Sequence, residues 1–249
     1  MRIFDLFQNK PATTIPINEI HYSKLNKERF ISEYFIPRKP LLIKGGAIDW
    51  PLTHLWTKEY VDKNFGHYMC SVVKDSRPAM ATELTTLKTF FKNHIGQSTL
   101  TLESNPMKVR FLLKGLKFPN LFFSRKDINR FFFYYSIKHA GTLPHYHKDA
   151  FNILREGKKR WVMFDANEQK APKGYNTQLE GYKKYPKGTH AKNWFVIDLP
   201  KISKKLPVFE CYQETSDIVY VPWQFSHAVL NISDEVLGLV VETQREKNV

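Results

Sequence analysis

Two of the chain's nine histidines stand two residues apart in TLPHYHKDAFNILREGKKRW (142–161), with an aspartate two residues further on. In a β-strand successive side chains alternate faces, so His145 and His147 point the same way, with Cα atoms about 6.5–7 Å apart. Two imidazoles so placed can converge on one metal ion, and the third ligand must then come from elsewhere. SDIVYVPWQFSHAVLNISDEV (216–236) offers His227, just past a Tyr-Val-Pro strand end and at the start of the next strand. A rolled sheet makes distant strands neighbours, so His227 can close a triad. Spacing alone leaves the ordinary alternative open, a surface pair and a satisfied polar residue. His21, His54, His67, His94, His139 and His190 show no comparable pairing.

The elements that must position these residues change character along the chain. Residues 18–35 read as helix, with Asn26 as an N-cap, ended by Pro37 and Pro40. PLLIKGG is a short buried strand and glycine turn, LTHLWTKEYVDKNFG a helix closed by Gly66, GHYMCSVVKD a strand, and LTTLKTFFKNHIG an amphipathic helix. Beyond about residue 130 the pattern is of short β-rich runs: RFFFYYSIKH, HKDAFNILREG, KRWVMFDA, WFVIDL, VFECYQE, SDIVYVP, SHAVLNIS and EVLGLVVETQ. The expected fold is α+β, a jelly roll of the cupin kind (a double-stranded β-helix) with N-terminal helical elements packed on it. We expect one domain over 1–249, with a helix-rich part to about 130 and a β core over about 131–245. Residues 168–192 fit no element and carry six lysines against two glutamates, a loop of functional length.

With 249 residues the chain is long enough for one large domain or two small ones. No apolar run approaches the length that spans a bilayer, and the N-terminus shows no apolar core of a signal peptide. The two cysteines, Cys70 and Cys211, are isolated, which argues against a disulfide scaffold or a cysteine zinc site and fits a reducing cytosol. The formal charge of +14 favours polyanionic partners or else marks a lysine-rich solvated surface.

Several motifs occur together in an order that resembles the JmjC-type, cupin-like oxygenases. They are His145-Tyr146-His147, Asn152, Gly157-Lys158-Lys159-Arg160-Trp161, and Asp217 through Tyr220-Val221-Pro222 to His227-Ala228-Val229-Leu230-Asn231, preceded by PRKPLLIKGGAIDWP. The resemblance covers about residues 17–243. It implies Fe(II) and 2-oxoglutarate as cofactors, and a metal triad at the H-x-D and distal His positions. Here the family's acid position holds His147. Two triads follow: His145, His147 and His227, or His147, Asp149 and His227, in which HKD restores the acid. The spacing to the downstream Gly-Lys favours the first. Three neutral imidazoles leave one more positive charge on the site than the usual set, which Asp149 or another nearby acid could compensate from outside the ligand set. By resemblance Lys159 supplies the cation for the distal carboxylate of 2-oxoglutarate, with Asn152, Thr142 and Asn231 as further contacts. Tyr134 or Tyr135 adds a phenol. The reactivity lies in the iron centre, with no separate acid or base.

The activity implied is hydroxylation of a protein or peptide side chain, the substrate segment acidic if charge guides it. An RNA nucleoside hydroxylase of the tRNA type is the alternative, and a catalytically inactive cupin-like binding module is the alternative of another class. The expected location is cytoplasmic, or nuclear in a eukaryote, with no membrane association. With about 20 residues after His227, the expectation is a monomer or a homodimer through the N-terminal helices.

Overall fold

The computed structural model describes residues 12–73, 83–94, 98–103, 113–117, 123, 125–165 and 189–244. The first part supplies strands β1 (Ile15–Pro16), β2 (Asn18–His21), β3 (Leu41–Lys44), β4 (Met69–Val73), β5 (Glu83–Thr86) and β6 (Ser98–Glu103). The second supplies β7 (Ile128–Ile137), β8 (Gly141–His145), β9 (Ala150–Glu156), β10 (Lys158–Asp165), β11 (Phe209–Glu214), β12 (Ile218–Val221), β13 (Phe225–Asn231) and β14 (Glu235–Thr243). The helices are short: α1 (Lys27–Phe30), which runs on as a π turn over Ile31–Phe35, then α2 (Pro51–Leu55), α3 (Lys58–Phe65), α4 (Leu87–Asn93), α5 (Ala191–Ile197) and α6 (Leu199–Ile202).

Two sheets form. One has the order β1-β11-β10-β13-β8, the other β2-β3-β12-β9-β14-β7-β6-β4-β5. The described chain is mostly β with few helices, compatible with a jelly roll. Strand alternation sorts its core into layers. On β10, Trp161 and Met163, with Val229 of β13, face the larger sheet and pack on its Ala150, Val219 and Val221, whereas Val162 and Phe164 pack under Trp194, Phe195 and Leu199. On the far side of the larger sheet, Phe131, Phe133, Tyr220, Leu237, Leu239 and Val241 meet Phe30, Trp50 and Trp56. Each such fully buried side chain contributes about 1.5–3 kcal/mol.

Several expected elements come out differently. Residues 18–21 are a strand that pairs in parallel with β3, and after a 3-10 turn over Tyr22–Lys24 α-helix starts only at Lys27, where the Asn26 side chain accepts from the Arg29 N–H at 2.8 Å. The helix expected over 52–66 is two, broken at Trp56 and restarted by Thr57, which caps Tyr60. Gly66 is the C-cap, as expected. Residues 83–86 are strand β5, and Thr86 caps α4. WFVIDL, read as a strand for its aromatic and branched residues, lies mainly in α5. Ala191, Trp194 and Phe195 share one helical face there, and burying that face under the smaller sheet outweighs β propensity. The first part is therefore as much strand as helix, and it extends the larger sheet at both ends. The lysine-rich loop expected over 168–192 falls mostly outside the described residues.

Candidate metal centre

A strand end, a turn and a second strand bring three imidazoles together. His145 is the last residue of β8, and His227 lies directly opposite it on the antiparallel β13. Their ring centroids are 4.1 Å apart. The strand expected to carry both His145 and His147 stops at His145, and the next begins at Ala150. His147 therefore reaches the cluster from a turn rather than by strand alternation. Its ring lies 4.7 Å from that of His227 and 5.4 Å from that of His145. One ligand atom from each residue falls within 4.8 Å of the others. Metal–imidazole bonds of about 2.1 Å require nitrogens about 3 Å apart, so a small inward motion completes a site.

Each ring is held from behind. Nδ1 of His145 lies 2.9 Å from the Leu143 carbonyl, Nδ1 of His147 2.7 Å from that of Lys148, and Nδ1 of His227 3.1 Å from that of Phe225. A carbonyl only accepts, so these nitrogens carry the protons and Nε2 is the ligating atom in all three. Burial, and then the neighbouring His147, push His145 down to about 3. His227 is pushed down by burial first and by His145 and His147 next. The rings of His145 and His227 are thus neutral at ordinary pH, the form that binds metal.

Asp149, the alternative ligand, lies outside this cluster. The turn swings its carboxylate to the end of β12, where it accepts from the Tyr220 hydroxyl at 2.6 Å and the Trp223 N–H at 3.1 Å. Its carbonyl accepts from the Thr243 N–H at 2.8 Å, and the Gln224 N–H reaches the His147 carbonyl at 3.4 Å. Asp149 thus fastens the turn that presents His147. Gln224 adopts a left-handed φ of 65° to make its contact.

The expected cosubstrate residues line the same inter-sheet face. Between His145 and Thr142 the β8–β13 register shifts: His227 opposes His145, but Val229 opposes Thr142. The extra residue lets side chains three apart both face inward. Oγ1 of Thr142 is buried with no hydrogen-bond partner. Lys159 is 6% exposed. Its Nζ sits 4.1 Å from the Tyr134 ring centroid and 5.1 Å from that of Trp161, and the Trp161 ring in turn lies 5.9 Å from that of His227. Burial alone lowers its ammonium to about 7, with no acid acting on it. A buried cation without a carboxylate, on the same inter-sheet face as an orphaned hydroxyl, suits a dicarboxylate ligand. Asn152 accepts from the Tyr134 hydroxyl at 2.8 Å. Gly238 makes room for that tyrosine, since a Cβ there would collide with its hydroxyl oxygen. Of the two phenols, then, Tyr134 lies against Lys159 and Asn152, and the Tyr135 hydroxyl donates to Glu235. Asn231, opposite Lys159 in register, donates its amide to Ser136 Oγ at 2.8 Å and the Ile137 carbonyl at 3.1 Å, and so braces β13 against the end of β7.

Sequence reasoning missed Glu242. It is 3% exposed on β14, with a carboxylate oxygen 3.9 Å from Nδ1 of His147. An acid closing the apolar run VLGLVV was the available signal.

No family model matches the chain. Among curated proteins it is similar to the arginine-specific demethylase JMJ22 of Arabidopsis thaliana, 24% identical over 235 residues that cover 85% of this chain and 43% of that protein. It is also similar to the lysine-specific demethylase JMJ21 of the same plant, 22% identical over 243 residues, covering 85% of this chain and 24% of that one. The bifunctional arginine demethylase and lysyl-hydroxylase psr-1 of Caenorhabditis briggsae is 23% identical over 248 residues, covering 90% and 60%. The chain thus spans between a quarter and three fifths of these relatives' lengths.

Proposed function

We propose that this chain, a relative of the JmjC-type oxygenases that work with Fe(II) and 2-oxoglutarate, hydroxylates a side chain of a protein or peptide. The observation that carries the reading is the convergence of His145, His147 and His227, with ligand atoms within 4.8 Å, on the face that also holds an acid-free buried lysine. In this reading the two sheets are the halves of a double-stranded β-helix, and residues 1–249 act as one cupin-like domain.

When bound, Fe(II) with 2-oxoglutarate supplies the power to insert one atom of O2 into a C–H bond, with succinate and CO2 as coproducts. The chain's residues bind and orient. His145, His147 and His227 hold the metal through Nε2, each fixed by its backbone carbonyl. Lys159 would take the distal carboxylate of 2-oxoglutarate, and Thr142 and the Tyr134–Asn152 pair would supply hydrogen bonds to it. Asn231, expected as a cosubstrate contact, also holds the strand that carries His227 through its amide nitrogen. Ala150, Trp161, Met163 and Val229 exclude water from the same layer. A protein substrate agrees with the arginine, lysine and lysyl specificities in the relatives' names. The +14 charge supports an acidic segment around the target residue, and it is also the observation that favours the second reading, an RNA substrate.

Anaerobic loading with Fe(II), followed by measurement of succinate formed from 2-oxoglutarate on admission of air, tests the reading. Turnover in the wild type, lost in His227→Ala and Lys159→Ala, is the expected result. A protein that takes up no iron would be a binding module instead. Mass spectrometry of peptide and RNA pools after turnover then identifies which polymer gains 16 Da (one oxygen atom).

A further inference from the structure

Substituting an imidazole for the acid at position 147 removes a negative charge from the ligand set, and the fold returns one from another strand. On β14, Leu237, Leu239 and Val241 face the helical core, so alternation sends Val236, Gly238, Val240 and Glu242 to the inter-sheet face. Glu242 ends that series level with Ala150, the first residue after the His147 turn. The next residue, Thr243, is bonded through its N–H to the Asp149 carbonyl, which locks the end of β14 to this turn. The Glu242 carboxylate is buried, with Oε1 3.9 Å from His147 Nδ1 and Oε2 3.9 Å from the Arg130 guanidinium.

On the reading that the triad binds a divalent metal, we infer that Glu242 is the charge partner of the centre, acting through His147 in place of the acid ligand that the resemblance leads one to expect at position 147. His147 keeps its Nδ1 proton on the Lys148 carbonyl at 2.7 Å. Glu242 therefore acts by its field on the imidazole rather than by taking its proton. A negative charge behind a ligating ring raises the ring's donor strength and offsets the excess charge of a three-histidine site. Arg130, half exposed on β7, partly opposes it. Glu242 is accordingly a positioning residue that touches neither substrate nor metal.

Cobalt(II) is the probe, because its visible bands report coordination directly and without turnover. Wild type, Glu242→Gln, Glu242→Asp, Arg130→Gln and His227→Ala are titrated with Co(II) in competition with a chelating dye. Glu242→Gln is expected to bind about 10–100-fold more weakly with shifted bands, Glu242→Asp to lie between it and the wild type, and Arg130→Gln to bind severalfold more tightly. Glu242→Gln that matches the wild type within twofold and keeps its bands, while His227→Ala binds nothing, overturns this inference and leaves the triad standing. Should Glu242→Gln fail to fold, the exposed Arg130→Gln decides: unchanged affinity overturns the inference. Wild type that takes up no cobalt overturns the metal centre, and this inference with it.

Discussion

At Lys159 stability and chemistry pull in opposite directions. A lysine ordinarily titrates near 10.4, and burial holds this one near 7. Between those values the unfolded chain binds a proton that the folded chain does not. Stability contributed by this group therefore rises with pH from about 7 to about 10, and below 7 the full penalty remains. Lys159→Met should raise the melting temperature of the metal-free protein at pH 7 and flatten its rise toward pH 10, as read by calorimetry. The same change should weaken 2-oxoglutarate about 10–100-fold, the worth of one charge-assisted hydrogen bond. Because the diacid requires the ammonium form, binding above pH 7 takes up a proton. The wild-type affinity should fall up to about tenfold per pH unit there, and that of Lys159→Met should stay flat. The residue types and spacing around Lys159 were legible as a motif. That Tyr134 rather than Tyr135 faces it was not, since adjacent tyrosines on one strand differ only in face.

Among the elements, the turn between β8 and β9 separates residues that strand alternation would keep together. His145, His147 and Asp149 would share one face of a continuous strand. Because the strand ends at His145, His147 joins the triad and Asp149 ties the turn to Tyr220 and Trp223. Asp149→Ala leaves a buried hydroxyl and N–H without their acceptor. It should cost about 1–3 kcal/mol by chemical denaturation, yet retain stoichiometric cobalt binding. Loss of the metal with folding intact would make Asp149 a ligand after all. The β9–β10 hairpin depends on Gly157, whose φ of 99° and contact with the Glu235 carbonyl admit no side chain. Gly157→Ala should destabilise by about 1–3 kcal/mol and shift Lys159 off its register, raising the KM for 2-oxoglutarate. The strands of the second part were readable because β-branched and aromatic runs alternate there between turn residues. α5 was not, because its composition favours a strand and only the apolar face it buries makes it a helix.

Over the whole molecule a bound ion would cross-link β8 and the His147 turn that follows it to β13, about 80 residues further along the chain. With metal at a hundred times its Kd the gain is about 2.7 kcal/mol, or a rise of about 5–10 °C in Tm for a chain of this size. Chelation should reverse that rise in the wild type and leave His227→Ala unmoved. The net charge of +14 acts at the same scale. If RNA is the partner, its affinity should collapse as salt rises from 50 to 200 mM, with a slope that counts the phosphates neutralised. A peptide held by backbone and pocket contacts should lose far less.

The sequence by itself determined the chemistry on offer: three histidines, a lysine and their amide neighbours in family order, and β runs able to carry them. These are local properties, set by residue type and by periodicities of two to four residues. Only the tertiary structure decided which candidates meet. The pairing of His145 with His227, the turn that brings in His147 and sends Asp149 away, and the arrival of Glu242 from β14 all depend on strand register and on where a strand stops. Those are set by packing between residues far apart in the chain, which no short stretch of sequence contains.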